Sequence, residues 1–539
     1  MKNQSTLTRI RRFFPFILLL TVSTARLLPG LRTIDDAYIT YRYSRNILSG
    51  LGFTYNPGEF VQGTTTPLYT LLLAFVGLFS GGPNAPFPAL ALLINTVCDG
   101  ITALILWNLG KKFDFPVAGA ATALFWAIAP FSVTFAIGGL ETSLYILGLS
   151  SSVYFYVQKK HRFAALTASL SILTRPDAIL LVIPLILDRL RHLFIQGKQQ
   201  TESQKSIPDE LISETLIFIL PLLAWFGFAW FYFGNPIPHS VLAKSQAYHL
   251  SPYGAFTRIL QHFATPFMGH HTFGTSWIRV GLILFPFLCI LGSRRVWKSF
   301  PRFWPLIVYP WVYFLTFSFA NPLIFRWYLT PPLLPYVFFI FIGLQDLLTH
   351  LFDLPRSLRK ENTTFSLTSL ITLSILFAPL ILPIRAWTLH PDHGPDRPAP
   401  KMAWFKLELV YEEAAEIIRD DAQVKELSNE GSAPVLAAAD VGVLGYYTPL
   451  PILDIVGLNS RQSLEYYPVD FAVYDFNFTV PPNLILNENP AYVVILERYG
   501  RGYLLEHPSF QEEYRLLSTI KTNIYHSEGM LLFKRSDLY

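Results

Sequence analysis

The sequence predicts a polytopic α-helical membrane protein that ends in an extracytoplasmic α/β domain. Three observations carry this prediction. The 539 residues are 52% hydrophobic and only 15% charged, and mean hydropathy is +0.36, too apolar for an ordinary soluble chain. Apolar runs recur from Phe13 to Trp387, with Lys and Arg gathered in alternate gaps, as cytoplasmic loops require. Beyond Trp387 the long runs stop, and short apolar stretches bounded by turn residues take their place.

Taken in order, the basic N-terminus (Lys2, Arg9, Arg11, Arg12) leads into a first span from Phe13 to Pro29. No small-residue cleavage site follows, so this segment reads as an uncleaved helix. Arg26, near its outer end, is expected to snorkel to the interface. Leu68 to Phe79 is short for a span and reads as a helix lying along the outer surface. Pro88 to Leu109 then enters the cytoplasm at Lys111 and Lys112. Phe115 to Ile137 goes out, and Leu144 to Val157 returns to Lys159, Lys160 and Arg162. Phe163 to Leu173 and Ala178 to Leu187 form a short hairpin with Thr174 to Asp177 at its outer tip. Leu211 to Phe233, Ile278 to Leu291, Phe303 to Phe319, Leu329 to Leu348 and Leu367 to Trp387 continue the alternation. The polar stretch Gly197 to Glu210, and the cluster Arg356, Arg359 and Lys360, belong on the cytoplasmic side. The sum is about eleven transmembrane helices in residues 1–388, with the N-terminus cytoplasmic.

Residues 389–400 are a Pro-, Asp- and His-rich linker, and 401–539 form the soluble domain. Leu407 to Leu427 has helical periodicity. Val435 to Ala439, Ile452 to Val456 and Tyr492 to Leu496 read as buried strands, with Tyr514 to Ser518 and Met530 to Lys534 as a closing pair. The net charge of +5 comes from loop lysines and arginines and reads as topology, not as nucleic-acid binding. Cys98 and Cys289 lie inside apolar runs and read as buried thiols.

The stretch Leu31 to Tyr69 is the most polar and Gly-rich passage of the first two hundred residues. It opens with the acid pair Asp35 and Asp36. Tyr38, Tyr41, Arg42, Tyr43, Arg45 and Asn46 follow at helical spacing, then a turn-rich segment with Glu59, Gln62 and Thr64 to Thr66. An acid pair at a membrane surface, backed by aromatic and basic residues, suits chemistry on a sugar attached to a lipid phosphate. Such a transfer needs cations to hold the phosphate and one carboxylate to take the acceptor proton. Arg175, at the tip of a short hairpin, is a phosphate candidate because a charge at that depth is costly. Its alternative is a salt bridge to Asp177. Arg42, Arg326 and Lys244 are further donor-phosphate candidates, and Tyr38, Glu59 and Glu141 complete the substrate-binding set. Capping is the plainer reading of Glu141. His239, His270 and His271 do not stand in ligand spacing with a carboxylate. No metal or cofactor is therefore expected, and a divalent cation is only the lesser alternative.

The run DDAYITYRYSRN…YNPGE…GTTTPL, then GLET, LTRPD and RWYLTPPLLP, resembles polyprenyl-phosphate-dependent glycosyltransferases of the GT-C superfamily. Within it, the nearest resemblance is to the family of the mycobacterial terminal arabinofuranosyltransferase. The resemblance extends to ADVGVLGYY…PILDIVGL in the outer domain. It implies a GT-C-like membrane domain, a polyprenyl-phosphate sugar donor, arabinofuranosyl or hexosyl, and a cell-envelope glycan acceptor. It also implies a catalytic acid in the first outer loop, which maps onto Asp35 with Asp36 beside it. Asp35 is accordingly favoured as general base of an inverting transfer, with Asp36 holding structure or acceptor. Thr65 and Thr66 stand before Pro67 where some aminoarabinose-transferring relatives carry a Glu-Lys pair, which removes that lysine clamp. The competing class is a lipid-linked-sugar transporter. Transporters usually carry two similar halves, and no internal symmetry is seen here.

Overall fold

The computed structural model describes residues 2–198, 209–351, 367–421, 434–475 and 477–538. Most of the expected loop Gly197 to Glu210, the cluster Arg356, Arg359 and Lys360, and the end of the helix expected to reach Leu427 lie outside the described residues.

The membrane part is a bundle of helices α1 (Lys2–Leu27), α2 (Asp35–Leu48), α3 (Pro67–Leu78), α4 (Phe87–Lys112), α5 (Pro116–Ile128), α6 (Pro130–Ile137), α7 (Thr142–Val157), α8 (His161–Thr174), α9 (Ile179–Lys198), α10 (Asp209–Phe233), α11 (His239–Ala247), α12 (Gly254–Ala264), α13 (His270–Phe273), α14 (Ser276–Ser299), α15 (Trp304–Ala320), α16 (Thr330–Leu351) and α17 (Leu367–Phe377). Five segments are long and apolar enough to cross a bilayer: Phe87–Lys112, Asp209–Phe233, Ser276–Ser299, Pro301–Ala320 and Arg326–Leu351. The pair α5–α6, bent by 42° at Pro130, makes a sixth. The other expected spans fall on shorter or more charged helices, among them α7 at 16 residues and α8 at 14. The membrane character is thus plain, while the figure of eleven exceeds the helices that meet the length criterion alone. The short apolar helix expected after the first loop is α3, at 12 residues.

The two ends of the bundle differ in chemistry, as side-chain contacts show. At one end Phe113 packs on Phe300 and Phe303, Arg302 meets His192, and Tyr156 and the Trp304 indole both donate to Asp188. Arg162 bonds Ser213 there, and Arg295 pairs with Asp346. These are the turns in which the expected cytoplasmic lysines and arginines sit. At the other end Arg32 N–H bonds the Ile137 carbonyl, Arg175 pairs with Glu141, and Trp327 packs on Phe135. Alternation of basic turns therefore agrees with the fold.

Close helix contacts rest on small residues, as in membrane bundles generally. A Cβ on Gly292 of α14 would meet the Phe339 carbonyl oxygen of α16 at 2.1 Å, and one on Gly343 would meet the Leu288 oxygen at 2.0 Å. Arg26 corrects its reading as a snorkelling residue. It is fully buried, and its Nε bonds Asp99 Oδ2 of α4 at 2.7 Å. Its Nη1 donates to the Ala127 carbonyl at 2.7 Å and its Nη2 to Ser132 Oγ at 3.1 Å. A charge with these partners inside the bundle is cheaper than one stretched toward the interface through packed helices.

The C-terminal region begins with a two-stranded ribbon, β1 (Trp387–Thr388) against β2 (Ala399–Pro400). Helix α18 (Ile381–Arg385) leads into this ribbon from the bundle, and helices α19 (Lys406–Asp420) and α20 (Gly442–Tyr447) accompany a sheet of order β4-β3-β5-β7-β6. Its strands are β3 (Leu436–Ala438), β4 (Ile452–Asp454), β5 (Tyr492–Leu496), β6 (Tyr514–Lys521) and β7 (Gly529–Arg535). β3 pairs in parallel with β4 and β5, while β7 is antiparallel to β5 and β6. All five residues of β5 are buried, as a central strand covered on both faces should be. The expected strands and closing pair are all present.

The Arg26–Asp99 pair yields a test. Asp99→Leu leaves a buried guanidinium without its carboxylate and should cost about 3–5 kcal/mol, seen as a lower melting temperature in detergent. Arg26→Leu combined with Asp99→Leu should recover most of that loss. A single variant as stable as the native protein would contradict the pairing.

Candidate active site

The loop after α1 and the C-terminal domain build the site together. Helix α2 begins with its two acids, and successive helical residues point about 100° apart, so the two carboxylates must part. Asp35 turns to the outer domain. It is 6% exposed, and its oxygens accept the backbone N–H groups of Gly442 at 3.0 Å and Val443 at 2.7 Å, the first residues of α20. Its own N–H reaches Glu408 Oε1 at 3.3 Å. Burial and the nearby Asp440 push the Asp35 carboxyl well above the usual carboxylate range, against the pull of the two N–H donors. Of the pair, the residue favoured from the sequence as base is thus the one engaged with backbone.

Asp36 faces the other way. It lines a cavity of about 200 Å³, below the roughly 300–1,000 Å³ of drug-sized pockets, with room for a small polar group. Thr40, Thr64, Thr65, Thr66, Glu141, Arg175, Asp177, Ser240, Lys244, Trp327, Tyr328 and Leu458 line it as well. Burial raises the Asp36 pKa, and the positive charge of Lys244 opposes the rise. Three carboxylates border the cavity. Two are tied to Arg175, whose Nε is 2.9 Å from Asp177 Oδ1 and whose Nη1 is 3.2 Å from Glu141 Oε1. The Arg175 guanidinium also stands 4.6 Å over the Tyr328 ring. Glu141 makes no side-chain cap to α7, so its carboxylate serves Arg175. Asp36 has no ion pair within 4 Å among the described residues. Lys244 sits 4.8 Å over the Phe325 ring at the cavity edge. Ser240 Oγ is buried and lacks a partner among the described residues, a hydroxyl ready for a polar ligand.

The remaining sequence candidates stand outside this cavity. Arg42 is buried and spends its guanidinium on the carbonyls of Tyr55, Gly445 and Leu450 and on Asn56 Oδ1. It fastens loop to domain, with four of its five N–H groups engaged there. Arg45 donates to the Tyr446 carbonyl at 2.8 Å with its guanidinium 3.8 Å over that ring. Tyr38 packs against Tyr446 and Tyr447. Glu59 accepts from Asn56 at 3.2 Å within its turn. Arg326 bonds the Met402 carbonyl at 2.8 Å. Asn56 closes the seam by pairing with both the N–H and the C=O of Ile452.

Several residues escaped the sequence reading. Ser240, in the first turn of α11, reaches the cavity with no motif of its own, and Leu458, the last residue of the PILDIVGL passage, reaches it from just beyond β4. Glu408, buried, and Asp440, half-buried, form an acid group behind Asp35. Asp440 accepts from the Tyr411 hydroxyl at 2.8 Å and is pushed up by burial to about 6; burial lifts Glu408 to about 7. Asp440 lies in the ADVG passage, and that was its signal. Among the described residues no group of three or more His, Cys, Asp or Glu is placed to hold a metal ion.

Comparison with known proteins fits this architecture. A family model described as a domain of unknown function (DUF8728) matches residues 408–534, the C-terminal domain. A terminal β-(1→2)-arabinofuranosyltransferase of Mycobacterium tuberculosis is 36% identical over 124 residues, 21% of this chain. The match spans only 20% of that relative. The oligosaccharyltransferase of Archaeoglobus fulgidus, in a complex with Zn and sulfate, superposes with a TM-score of 0.55 at 12% identity, over 98% of this chain and 75% of that one. The same archaeal enzyme, AglB, with an inhibitory peptide and a dolichol-phosphate, gives 0.57 over 98% and 77%. ArnT of Cupriavidus metallidurans gives 0.50 at 12% identity, over 98% of both chains. The chain therefore has the GT-C fold, with a small sheet domain at its C-terminal end.

A Cβ on Gly442 would lie 1.8 Å from the Asp35 carbonyl oxygen and 2.9 Å from its carboxyl carbon. Gly442→Ala should therefore loosen the seam by about 1–3 kcal/mol, read as faster hydrogen exchange at Val443 to Tyr447. Unchanged protection there would mean that the seam is not tight.

Proposed function

We propose that the protein is a membrane glycosyltransferase that moves a sugar from a polyprenyl phosphate to a glycan acceptor on the extracytoplasmic side. The single observation that carries this reading is Asp36, unpaired in a polar cavity that also holds Lys244 and Arg175. The basic turns at the far end of the bundle favour a cytoplasmic location for that end and an outer one for the cavity.

In the proposed reaction the acceptor hydroxyl gives its proton to Asp36 as its oxygen bonds the anomeric carbon. The bond from that carbon to the phosphate oxygen breaks, and the electron pair leaves with the lipid phosphate. Lys244, with Arg175 behind it, balances the charge that gathers there. A phosphate leaves as an anion, so no general acid is required. Asp36 is preferred to Asp35 because it borders the cavity, while both Asp35 oxygens already accept N–H groups. One unpaired carboxylate supports an inverting displacement. The relative's name favours an arabinofuranosyl group as the transferred sugar; a hexosyl group is the next to test.

The experiment is transfer by purified, reconstituted protein from synthetic polyprenyl-phosphate arabinofuranose, and from the mannosyl analogue, to soluble oligosaccharides. Product from one of the two is expected. No product from either would contradict the reading. The pH profile adds a second check. Asp36 acts deprotonated, so activity falls as pH drops through its raised pKa. Lys244 holds that pKa down, so Lys244→Met should move the acid limb of kcat/KM to higher pH. An unmoved limb would sever Asp36 from the titration.

A further inference from the structure

At the basic end of the bundle, α8, α9 and α10 enclose a groove of about 310 Å³, within the roughly 300–1,000 Å³ of small-molecule sites. Each helix gives it one face at helical spacing, as His161, Ala164, Ala165 and Ala168 do for α8. The three alanines are too small to fill the space between the helices. Val182 and Leu185 of α9 are buried on its floor, while Ile186 and Ile219 are exposed at its rims. The groove is thus sunk into the bundle and open at the side. Of the five long apolar segments, α10, which forms one wall, is the least buried in the bundle.

The groove has a polarity gradient along the helices. α8 and α10 start at the basic end, and α9 returns to it. Its charged and imidazole residues, His161, Arg189 and Glu214, all lie at that end. Away from it, Ala168, Val182 and Ile219 offer only apolar surface. The stretch from Arg189 to Val182 is about 10 Å along the helix axis, about a third of the hydrocarbon core of a bilayer. An amphiphile fits this gradient in one direction only, with its head at the basic end. A polyprenyl phosphate held at the other end of the bundle would bring its apolar tail against Arg189 and Glu214.

The mouth favours an anionic head. Arg189 is paired with Glu214, Nε to Oε2 at 3.0 Å and Nη2 to Oε1 at 2.8 Å. Beside them Arg162 donates from Nε to Ser213 Oγ at 2.9 Å. Its two terminal nitrogens have no partner among the described residues, and neither has the buried His161 Nδ1. Asp188, also at this end, is taken by Tyr156 and Trp304. Exposed Lys159, Lys160, Arg162 and Arg191 outnumber the exposed acids Asp209 and Glu210. Such basic pockets between membrane helices suit anionic lipid headgroups.

We propose that this groove holds one acyl chain of an anionic phospholipid from the leaflet on the basic side, with the lipid phosphate at Arg162. The site is separate from the Asp36 cavity and does not depend on the transfer chemistry. α8 and α9 carry Arg175 at the turn between their opposite ends, so the bound lipid braces the hairpin that presents it.

The test uses the delipidated full chain in dodecyl maltoside, titrated with phosphatidylglycerol or with phosphatidylcholine of the same acyl chains. Bound lipid is read by native mass spectrometry, and melting temperature is taken alongside. Phosphatidylglycerol should bind about tenfold more tightly than phosphatidylcholine and raise the melting temperature. Ala165→Trp fills the groove and should remove the tight binding. Ile219→Asn, at an exposed rim position, should weaken it in the same direction and carries the test if Ala165→Trp folds poorly. Arg162→Gln should bring phosphatidylglycerol down to the level of phosphatidylcholine. Equal binding of the two lipids by the native protein would overturn the proposal, as would tight binding kept by the well-folded groove variants. A preference unmoved by Arg162→Gln would contradict the phosphate position. Displacement of phosphatidylglycerol by polyprenyl phosphate would overturn the proposal too, by assigning the groove to a polyprenyl chain.

Discussion

The contact on which the site depends is the Asp35 carboxylate accepting two backbone N–H groups at the start of α20. It joins the first residue of α2 to a domain about four hundred residues later in the chain. Hydrogen bonds of this kind are worth about 0.5–1.5 kcal/mol each, and here they fix direction as well as energy. With Asp35 anchored, the helical step sends Asp36 to the opposite side, into the cavity. Arg42, Arg45, Tyr55 and Asn56 repeat the connection along the seam. Each meets a backbone group of the outer domain, so the interface is specified by shape and direction more than by apolar area.

The membrane bundle contributes the opposite wall by ordinary helix physics. The turn before α7 and the tip between α8 and α9 bring Glu141, Arg175 and Asp177 together. Two carboxylates on one guanidinium keep a buried cation in place, and the Tyr328 ring covers it. Deeper in the bundle, Arg26 and Asp99 answer the same problem as a fully buried pair, with the Ala127 carbonyl and Ser132 Oγ as further partners.

Much of this was legible in the sequence, for identifiable reasons. Long apolar runs and basic gaps report the membrane helices because the bilayer imposes both length and sign. The strands of the outer domain were readable because each is a short apolar run between turn residues, as at Tyr492 to Leu496. The polar loop around Asp35 drew notice because membrane helices do not need such residues. What the sequence hid was pairing over long separations. Arg42 looks like a phosphate ligand until Gly445 and Leu450 take its N–H groups. Arg26 looks like an interface residue until Asp99, on another helix, is beside it. Asp35 and Asp36 are equivalent as letters, and only the partner at Gly442 separates them.

The central claim is that this division of labour between neighbouring acids is also a division between structure and chemistry. The most direct measurement is turnover of Asp36→Asn against Asp35→Asn, with donor binding and melting temperature taken on the same samples. The account predicts that Asp36→Asn loses about 10²–10⁴-fold in turnover while its stability and donor affinity hold. It predicts that Asp35→Asn melts earlier and keeps more of its turnover. A fully active Asp36→Asn protein, with a stable but inactive Asp35→Asn, would contradict it.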